Sequence, residues 1–556
     1  MKRKCLNRIL SILLVAAMVL SLGPTVLAAQ EQRVPFRQVE ADAPLEREPA
    51  DIPQDTSYAP TDLVRVSIVL EDRPGLEQME ASSGLSTAAL AVSPQVQQTR
   101  QSLETNQAAL ARRISNQVLG GEPLDVVWNL TLAANLISAN VPYGKVEEIQ
   151  AMPGVKTVVL ETRYEPAVYS QGPADPNMST SAEMIGSSAA YAAGLTGAGT
   201  RIAVIDTGTD TDHQSFQAEA FHHALEENAK EAGMSYADYA AKLDLLDEEE
   251  IDSLLEKLHI HEKSPQLTGK DLYLNEKLAL GYNYVDSSLE ITHDHDTQGE
   301  HGSHVAGIST ANRFLKQGDG FVSAAEAVNV CGVAPDAQLL TMKVFGQKGG
   351  AYESDYMVAI EDAIMLGADA VNLSLGSAAP GESVNETYAK LLDSLQDTDT
   401  VVVISAGNSG SWADGTTTNG FLYNDGVSMD TVGSPGSYTN SLAVASVDNR
   451  GITGEYVTVG GSTIVYTQST TYGNLPLTTL AGEQSYVYID GYGTEADWAA
   501  VGEALKGTVA VCSRGGISFY QKANAAIGAG AIATVVYNND KGSINMDLTG
   551  YGYTAP

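Results

Sequence analysis

Apolar positions recur along this chain in two different rhythms. The first run, Leu63-Val64-Arg65-Val66-Ser67-Ile68-Val69-Leu70, partly alternates, as a half-buried strand should. A helical stretch from about Pro94 to Leu119 follows, then a strand over Leu124 to Leu132. Val146 to Met152 reads as a short helix stopped by Pro153-Gly154, and Val155 to Leu160 as a closing strand. These elements predict an α+β unit small enough to be one domain.

From Arg201 the rhythm changes. Arg201 to Ile205, Gln338 to Val344, Ala368 to Leu375 and Thr400 to Ser405 are short, continuous runs rich in Val, Ile and Leu. Helical patterns near Gly302 to Asn312, Glu353 to Leu366 and Glu386 to Leu395 separate them. Uninterrupted apolar strands alternating with helices predict a doubly wound parallel sheet, α/β in class, covered on both faces. Ligands of such sheets sit at the carboxyl ends of the strands. Between Phe216 and Pro265 lies an acidic insertion in which Ile251, Leu254, Leu255 and Leu258 follow helical spacing. It reads as a surface helical hairpin with a solvated acidic face, the alternative being a specific binding element. From about Gly460 the chain turns to Gly, Thr, Tyr and Ser with scattered strands.

The N-terminus changes the picture first. Lys2, Arg3, Lys4 and Arg8 precede an apolar run from Ile9 to Leu22, and Val26-Leu27-Ala28 supplies small residues at a cleavage point. Residues 1–28 thus read as a secretory signal peptide, the run being short for a membrane span. Residues 29–60 read as a solvated leader rich in Pro, Glu, Asp and Gln. The net charge of −37 argues against nucleic acid, whose phosphates need clustered Lys and Arg, and suits solubility outside a cell. Cys5 leaves with the signal peptide, and Cys331 and Cys512 read as separate buried thiols.

Three motifs carry candidate chemistry. Ala203-Val204-Ile205-Asp206-Thr207-Gly208 ends an apolar strand, His301-Gly302-Ser303-His304-Val305-Ala306-Gly307 opens a helix, and Ser405-Ala406-Gly407-Asn408-Ser409-Gly410 ends another strand. An acid, a base and an amide in that order can activate a serine and hold an oxyanion. Asp206 would orient the base, His301 would take the proton, and Asn408 would donate to the oxyanion. Taken singly, each motif has a plainer account as a turn, a helix start or a loop. Asp294, Asp296 and Glu300, just before His301, are candidate calcium ligands, a solvated acidic loop being the alternative. His293 and His295 do not have convincing zinc spacing.

On these motifs the chain resembles the subtilisin-like serine proteases, whose triad runs Asp, His, Ser. Ser303 stands where Thr is usual in the His motif. Gly332-Val333-Ala334-Pro335-Asp336-Ala337 matches the family's loop before a core strand. The resemblance implies that Ser374, Leu375 and Gly376 bind substrate backbone and that 184–455 is the catalytic domain, interrupted by the insertion at 216–265. It implies that 61–166 is a ferredoxin-like inhibitory prodomain. Leu505 to Val511, Arg514 to Phe519, Gly528-Ala529-Gly530-Ala531 and Val535 to Asn539 make 460–556 resemble part of a protease-associated domain. Such a domain is inserted before the serine in large cell-envelope proteinases similar to lactocepin, which the long Asp-to-His insertion and Tyr282-Asn283-Tyr284 also resemble.

One element of the family pattern is missing. Gly461-Ser462-Thr463 and Gly542-Ser543-Ile544 do not match the nucleophile motif Gly-Thr-Ser-Met-Ala. The expectation is a secreted endopeptidase, with association with the cell wall as an open option, whose serine lies beyond Pro556, acting on protein or peptide and held by its own prodomain. The alternative is an inactive secreted binding or scaffold protein.

Overall fold

The fold comes from a computed structural model. It describes residues 58–78, 86–164, 178–296, 299–376, 386–395, 399–407, 432–438, 441–447, 455–468, 474–539, 546, 548 and 550–556. The signal peptide, most of the leader and Asn408 lie outside the described residues.

Residues 58–164 carry β1 (Leu63–Leu70), the helix Pro94–Gln117, β2 (Asp125–Leu130), β3 (Leu136–Pro142), the helix Val146–Gln150 and β4 (Val155–Leu160). The four strands form one antiparallel sheet in the order β2-β3-β1-β4. This βαββαβ arrangement is ferredoxin-like. Alternation divides its faces. Val64, Val66, Ile68, Ile137, Ala139 and Val141 point into a core closed by Leu110 and Ile114 of the long helix. Ser67 and Ser138 on the opposite face are buried as well, because that face packs on the rest of the chain. β3 was not expected from sequence, since Ser138 and Asn140 interrupt its apolar pattern.

The central sheet contains β5 (Arg201–Asp206), β6 (Leu278–Asn283), β7 (Gln338–Lys343), β8 (Ala370–Leu373), β9 (Val401–Ser405) and β10 (Leu442–Val444). They run parallel in the order β10-β9-β8-β5-β7-β6. The chain moves outward from β5 to one side, then returns and builds outward on the other. The strand order therefore reverses between β5 and β8, and a ligand crevice forms at such a reversal. Asp206 is the last residue of β5, and Ser374-Leu375-Gly376 follows β8 directly. The continuous apolar runs predicted four of these strands; β6 and β10 went unread.

The helix Glu353–Met365 is buried along its whole length. An all-round buried helix needs cover on every side. The second face of the N-terminal sheet covers it. Glu161 accepts from the Ser354 hydroxyl at 2.8 Å and from Ser67 at 2.9 Å, and the Trp128 indole donates to Asp355 at 2.9 Å. Burial raises the pKa of both Glu161 and Asp355.

The insertion differs from its expected form. It is not a solvated hairpin. Leu246, Ile251, Leu255, Leu258 and Ile260 belong to the same core as β5, β7 and the helix Glu353–Met365. Its acidic face is exposed as expected at Asp247, Glu248 and Glu249, while Glu250 turns back toward the core. Arg201 at the start of β5 grips both carboxylate oxygens of Glu250, at 3.0 and 3.1 Å, and donates to the Asp244 carbonyl. Gln338 of β7 exchanges two hydrogen bonds with the Leu246 backbone.

At the C-terminal end β11 (Tyr486–Tyr488), β12 (Val509–Ser513) and β13 (Ala533–Tyr537) make a parallel sheet beside the helix Phe519–Gly528. Trp498, Leu505, Ala510, Cys512 and Ala526 fill its core. The buried Lys522 ammonium donates to the carbonyls of Tyr492, Ser513 and Gly515. Cys331 and Cys512 are both free thiols, but only Cys512 is buried. Among the described residues no helix is long and apolar enough to cross a membrane.

Candidate active site

β5 is hydrophobic up to its last residue and delivers a carboxylate into a buried position. Asp206 is 1% exposed. His301 opens the helix His301–Thr310 and is 8% exposed. Its Nδ1 lies 2.7 Å from Asp206 Oδ1, which also accepts from the Thr207 amide at 2.6 Å. A carboxylate oxygen accepts, so Nδ1 donates, and in the neutral ring the lone pair then belongs to Nε2. Asp206 Oδ2 is buried without a hydrogen-bond partner among the described residues. Buried, unmatched oxygens are costly and cluster where chemistry is done.

Close backbone approach sets this pair. A Cβ on Gly302 would lie 2.1 Å from the Gly208 carbonyl oxygen, and one on Gly208 would lie 2.1 Å from the Ile291 carbonyl oxygen. Gly208 also has φ +113°, which disfavours a side chain. The Thr207 hydroxyl accepts from the Gly302 amide at 2.9 Å, and Ser303 Oγ accepts from the Asp210 amide at 2.7 Å. Ser303 thus ties the helix start to the loop after β5, a bond its hydroxyl alone supplies.

A contrast of two glycines tests this packing. Gly302→Ala is expected to destabilise by about 3 kcal/mol or more, because only backbone could move. Gly307→Ala on the same helix meets nothing within 4 Å and is expected to stabilise by about 0.5–1 kcal/mol. Urea denaturation of both variants measures the difference; equal midpoints would refute the close-approach account.

Sequence reading missed Lys343. It ends β7 and is buried, and its Nζ donates to the Thr207 carbonyl and, at 2.7 Å, to Asp296 Oδ2. A lone Lys inside the apolar run Leu339 to Phe345 was the available signal. The ammonium clamps the loop that carries Asp206. It also engages one of the candidate calcium ligands. Asp294 instead accepts from the Thr292 hydroxyl at 3.0 Å, and Glu300 lies 3.6 Å from His293 Nε2. The three acids therefore do not converge, and among the described residues no group of three or more His, Cys, Asp or Glu could hold a metal ion.

Of the remaining predicted residues, Leu375 is buried in the core. The Ser374 hydroxyl accepts from the Asn372 side chain at 3.0 Å, and Gly376 packs near the Ser434 carbonyl. The segment lies beside the end of β9, where the Ser405 hydroxyl donates to the Leu375 carbonyl at 3.5 Å.

Comparison with known proteins gives a consistent picture. Residues 197–553 match the model of the subtilase family. A PI-type proteinase of Lactococcus lactis subsp. cremoris is 29% identical over 73% of this chain and 19% of its own length. The minor extracellular protease Vpr of Bacillus subtilis is 28% identical over 74% of the chain and 41% of its own. A C5a peptidase of Streptococcus pyogenes is 29% identical over 62% and 26%. The chain thus spans about a fifth of the length of the lactococcal relative.

Proposed function

The chain belongs to the subtilase family, and on that premise we propose that it is part of a secreted serine endopeptidase in which His301 is the general base and Asp206 orients it. The observation that carries this reading is the buried 2.7 Å contact between His301 Nδ1 and Asp206 Oδ1 at the strand-order reversal. The imidazole accepts the serine proton at Nε2 and returns it to the leaving amine, while Asp206 holds the ring and balances the imidazolium. Asn408 is the proposed oxyanion donor, and Ser374, Leu375 and Gly376 the proposed substrate-backbone segment.

Neither Ser462 nor Ser543 sits in the family's nucleophile pattern, so the serine is proposed to come from sequence outside these residues. The extracellular relative supports secretion, which the basic, apolar N-terminus also favours. Residues 61–166 are proposed as the inhibitory prodomain. In support, Arg163–Tyr164, at the end of that unit, pairs antiparallel with Ala351–Tyr352, as an extended peptide would. Residues 460–556 are proposed as part of a protease-associated domain.

A fluorophosphonate probe tests the catalytic reading on the full-length gene product. Covalent labelling that requires His301 supports it. A folded, secreted product that takes no label would make the protein a binder without chemistry.

A further inference from the structure

A cavity of about 360 Å³ lies where the N-terminal unit meets the insertion and the start of the helix Glu353–Met365, and neither Asp206 nor His301 lines it. Arg65, Trp128 and Arg163 of the N-terminal unit, Lys263 of the insertion, and Tyr352 and Asp355 form its walls. In a chain with 69 acidic residues and only 32 Lys and Arg, three cations beside one carboxylate run against the composition. Arg65 is held from two sides. Its Nε donates to Asn140 Oδ1 at 2.9 Å, and its guanidinium carbon lies 4.5 Å from the centroid of the Tyr352 ring. Its Nη1 is buried and has no hydrogen-bond partner among the described residues. Asp355 does not supply one. The carboxylate stands 3.8 Å from Nη1, too far for a hydrogen bond, and its two oxygens already accept from the Trp128 indole and the Tyr352 amide at 2.9 Å each. Arg163 lies against Gly350, where a Cβ would stand 2.2 Å from its Nε, and donates to the Gly349 carbonyl at 3.0 Å. The Lys263 ammonium lies 4.9 Å over the Trp128 ring.

A buried donor without an acceptor is costly, and such groups mark places where a partner binds or chemistry is done. The charge count selects the class of partner. Three cations less one carboxylate leave a surplus of two, which a dianion balances and a simple carboxylate does not. The volume, about twelve times a water's share, holds an oxyanion with some of its hydration. We propose that this cavity binds a phosphate-type dianion, with Arg65 donating to one oxygen and Arg163 and Lys263 closing on the others. The guanidinium fork suits phosphate geometry, and the ammonium adds a point charge. Arg65 and Arg163 belong to the N-terminal unit and Lys263 to the insertion, so the bound dianion bridges the two.

The test is isothermal titration calorimetry with inorganic phosphate, at ionic strength fixed with sodium chloride. It uses the full-length product carrying His301→Ala to prevent self-cleavage, its N-terminal unit shown by intact mass to be attached. A dissociation constant on the order of 1 mM is expected. Arg65→Gln removes the buried donor and is expected to raise it about tenfold or more, since hydrogen bonds between charged groups are the strong ones. Arg163→Gln and Lys263→Gln act at exposed side chains and are each expected to raise it about twofold to fivefold. Lys145→Ala, in a surface pair with Glu148, should change nothing. Sulfate should compete and chloride should not. Glycerol phosphate separates two sources of the same chemistry: equal affinity assigns the site to phosphate esters, and about tenfold weaker affinity assigns it to the free ion. No binding of phosphate up to about 20 mM, or binding that all three cation variants leave unaltered, overturns the site. If Arg65→Gln does not fold, Arg163→Gln and Lys263→Gln decide. No hydrolysis is read. A protein that never labels with fluorophosphonate can still bind phosphate here, and a labelled enzyme that binds none loses only this inference.

Discussion

In a protein carrying its nucleophile, His301→Ala is expected to lower kcat by about a millionfold and Asp206→Asn by about ten-thousandfold. Those magnitudes belong to the subtilisin triad and are carried over by family; they do not follow from the distances. The geometry supplies their order. His301 would bear the proton itself, so its loss leaves only binding and oxyanion stabilisation. Asp206 acts on the ring. Asn at 206 keeps the shape but can turn its amide N–H toward Nδ1, which favours the tautomer whose Nε2 is already protonated. KM should move little for either variant, because neither group binds peptide. Rates on a peptide substrate, with circular dichroism to establish folding, decide the point. A His301→Ala enzyme within tenfold of the parent would remove His301 as the base.

The same pair marks how far the sequence could be read. Asp206 and His301 were legible because each sits where an apolar run ends or begins, and a strand end fixes a side chain without help from distant residues. Lys343 was not, because its partners Thr207 and Asp296 are 136 and 47 positions away. β5, β7, β8 and β9 announced themselves as uninterrupted apolar runs, which strands covered on both faces produce. β6 carries Gly281 and Asn283 among its buried residues, and β3 carries Ser138 and Asn140, so neither fits a simple period. The insertion was misjudged for a physical reason. Asp247 to Glu249 do form a solvated face, but the core partners of Ile251 and Leu255 and the Arg201 that pairs with Glu250 lie far away in sequence, Arg201 49 positions before Glu250. Glu361 and the Ala133 amide that donates to it are 228 positions apart, beyond the reach of any local pattern.

Two buried cations should give this protein stability profiles that oppose each other with pH, and separating them is the second large effect expected. Burial lowers the pKa of His259, but Glu262, Glu361 and Asp362 outweigh it and raise it from an ordinary 6.5 to about 10. Burial would push Glu361 up, but its hydrogen bond to His259 and the charge there, with Arg100 and the Ala133 amide, outweigh it and hold Glu361 below its ordinary value. A base with a raised folded pKa stabilises fully below 6.5, and that stability is lost as pH rises toward 10. Lys277 behaves in the opposite way. It is fully buried, donates to the carbonyls of Pro335 and Ala337, and burial pulls it from 10.5 down to about 7. Between pH 7 and 10.5 the unfolded chain holds the Lys277 proton and the folded chain does not, so stability rises with pH. From pH 7 to 9.5 each term amounts to roughly 3 kcal/mol, and in the native chain they nearly cancel. Asp362, raised by burial to about 6 against the pull of the His259 charge, is mostly ionised across this window. His259→Gln keeps a donor toward Glu361 and leaves Lys277 alone, so its urea stability should climb by roughly 3 kcal/mol from pH 7 to 9.5. Lys277→Met should fall by a similar amount, and the double variant should be flat. The slope is the readout, since either substitution also shifts the absolute level. If both single variants were as flat as the parent, neither group would be titrating between a charged and a neutral buried state.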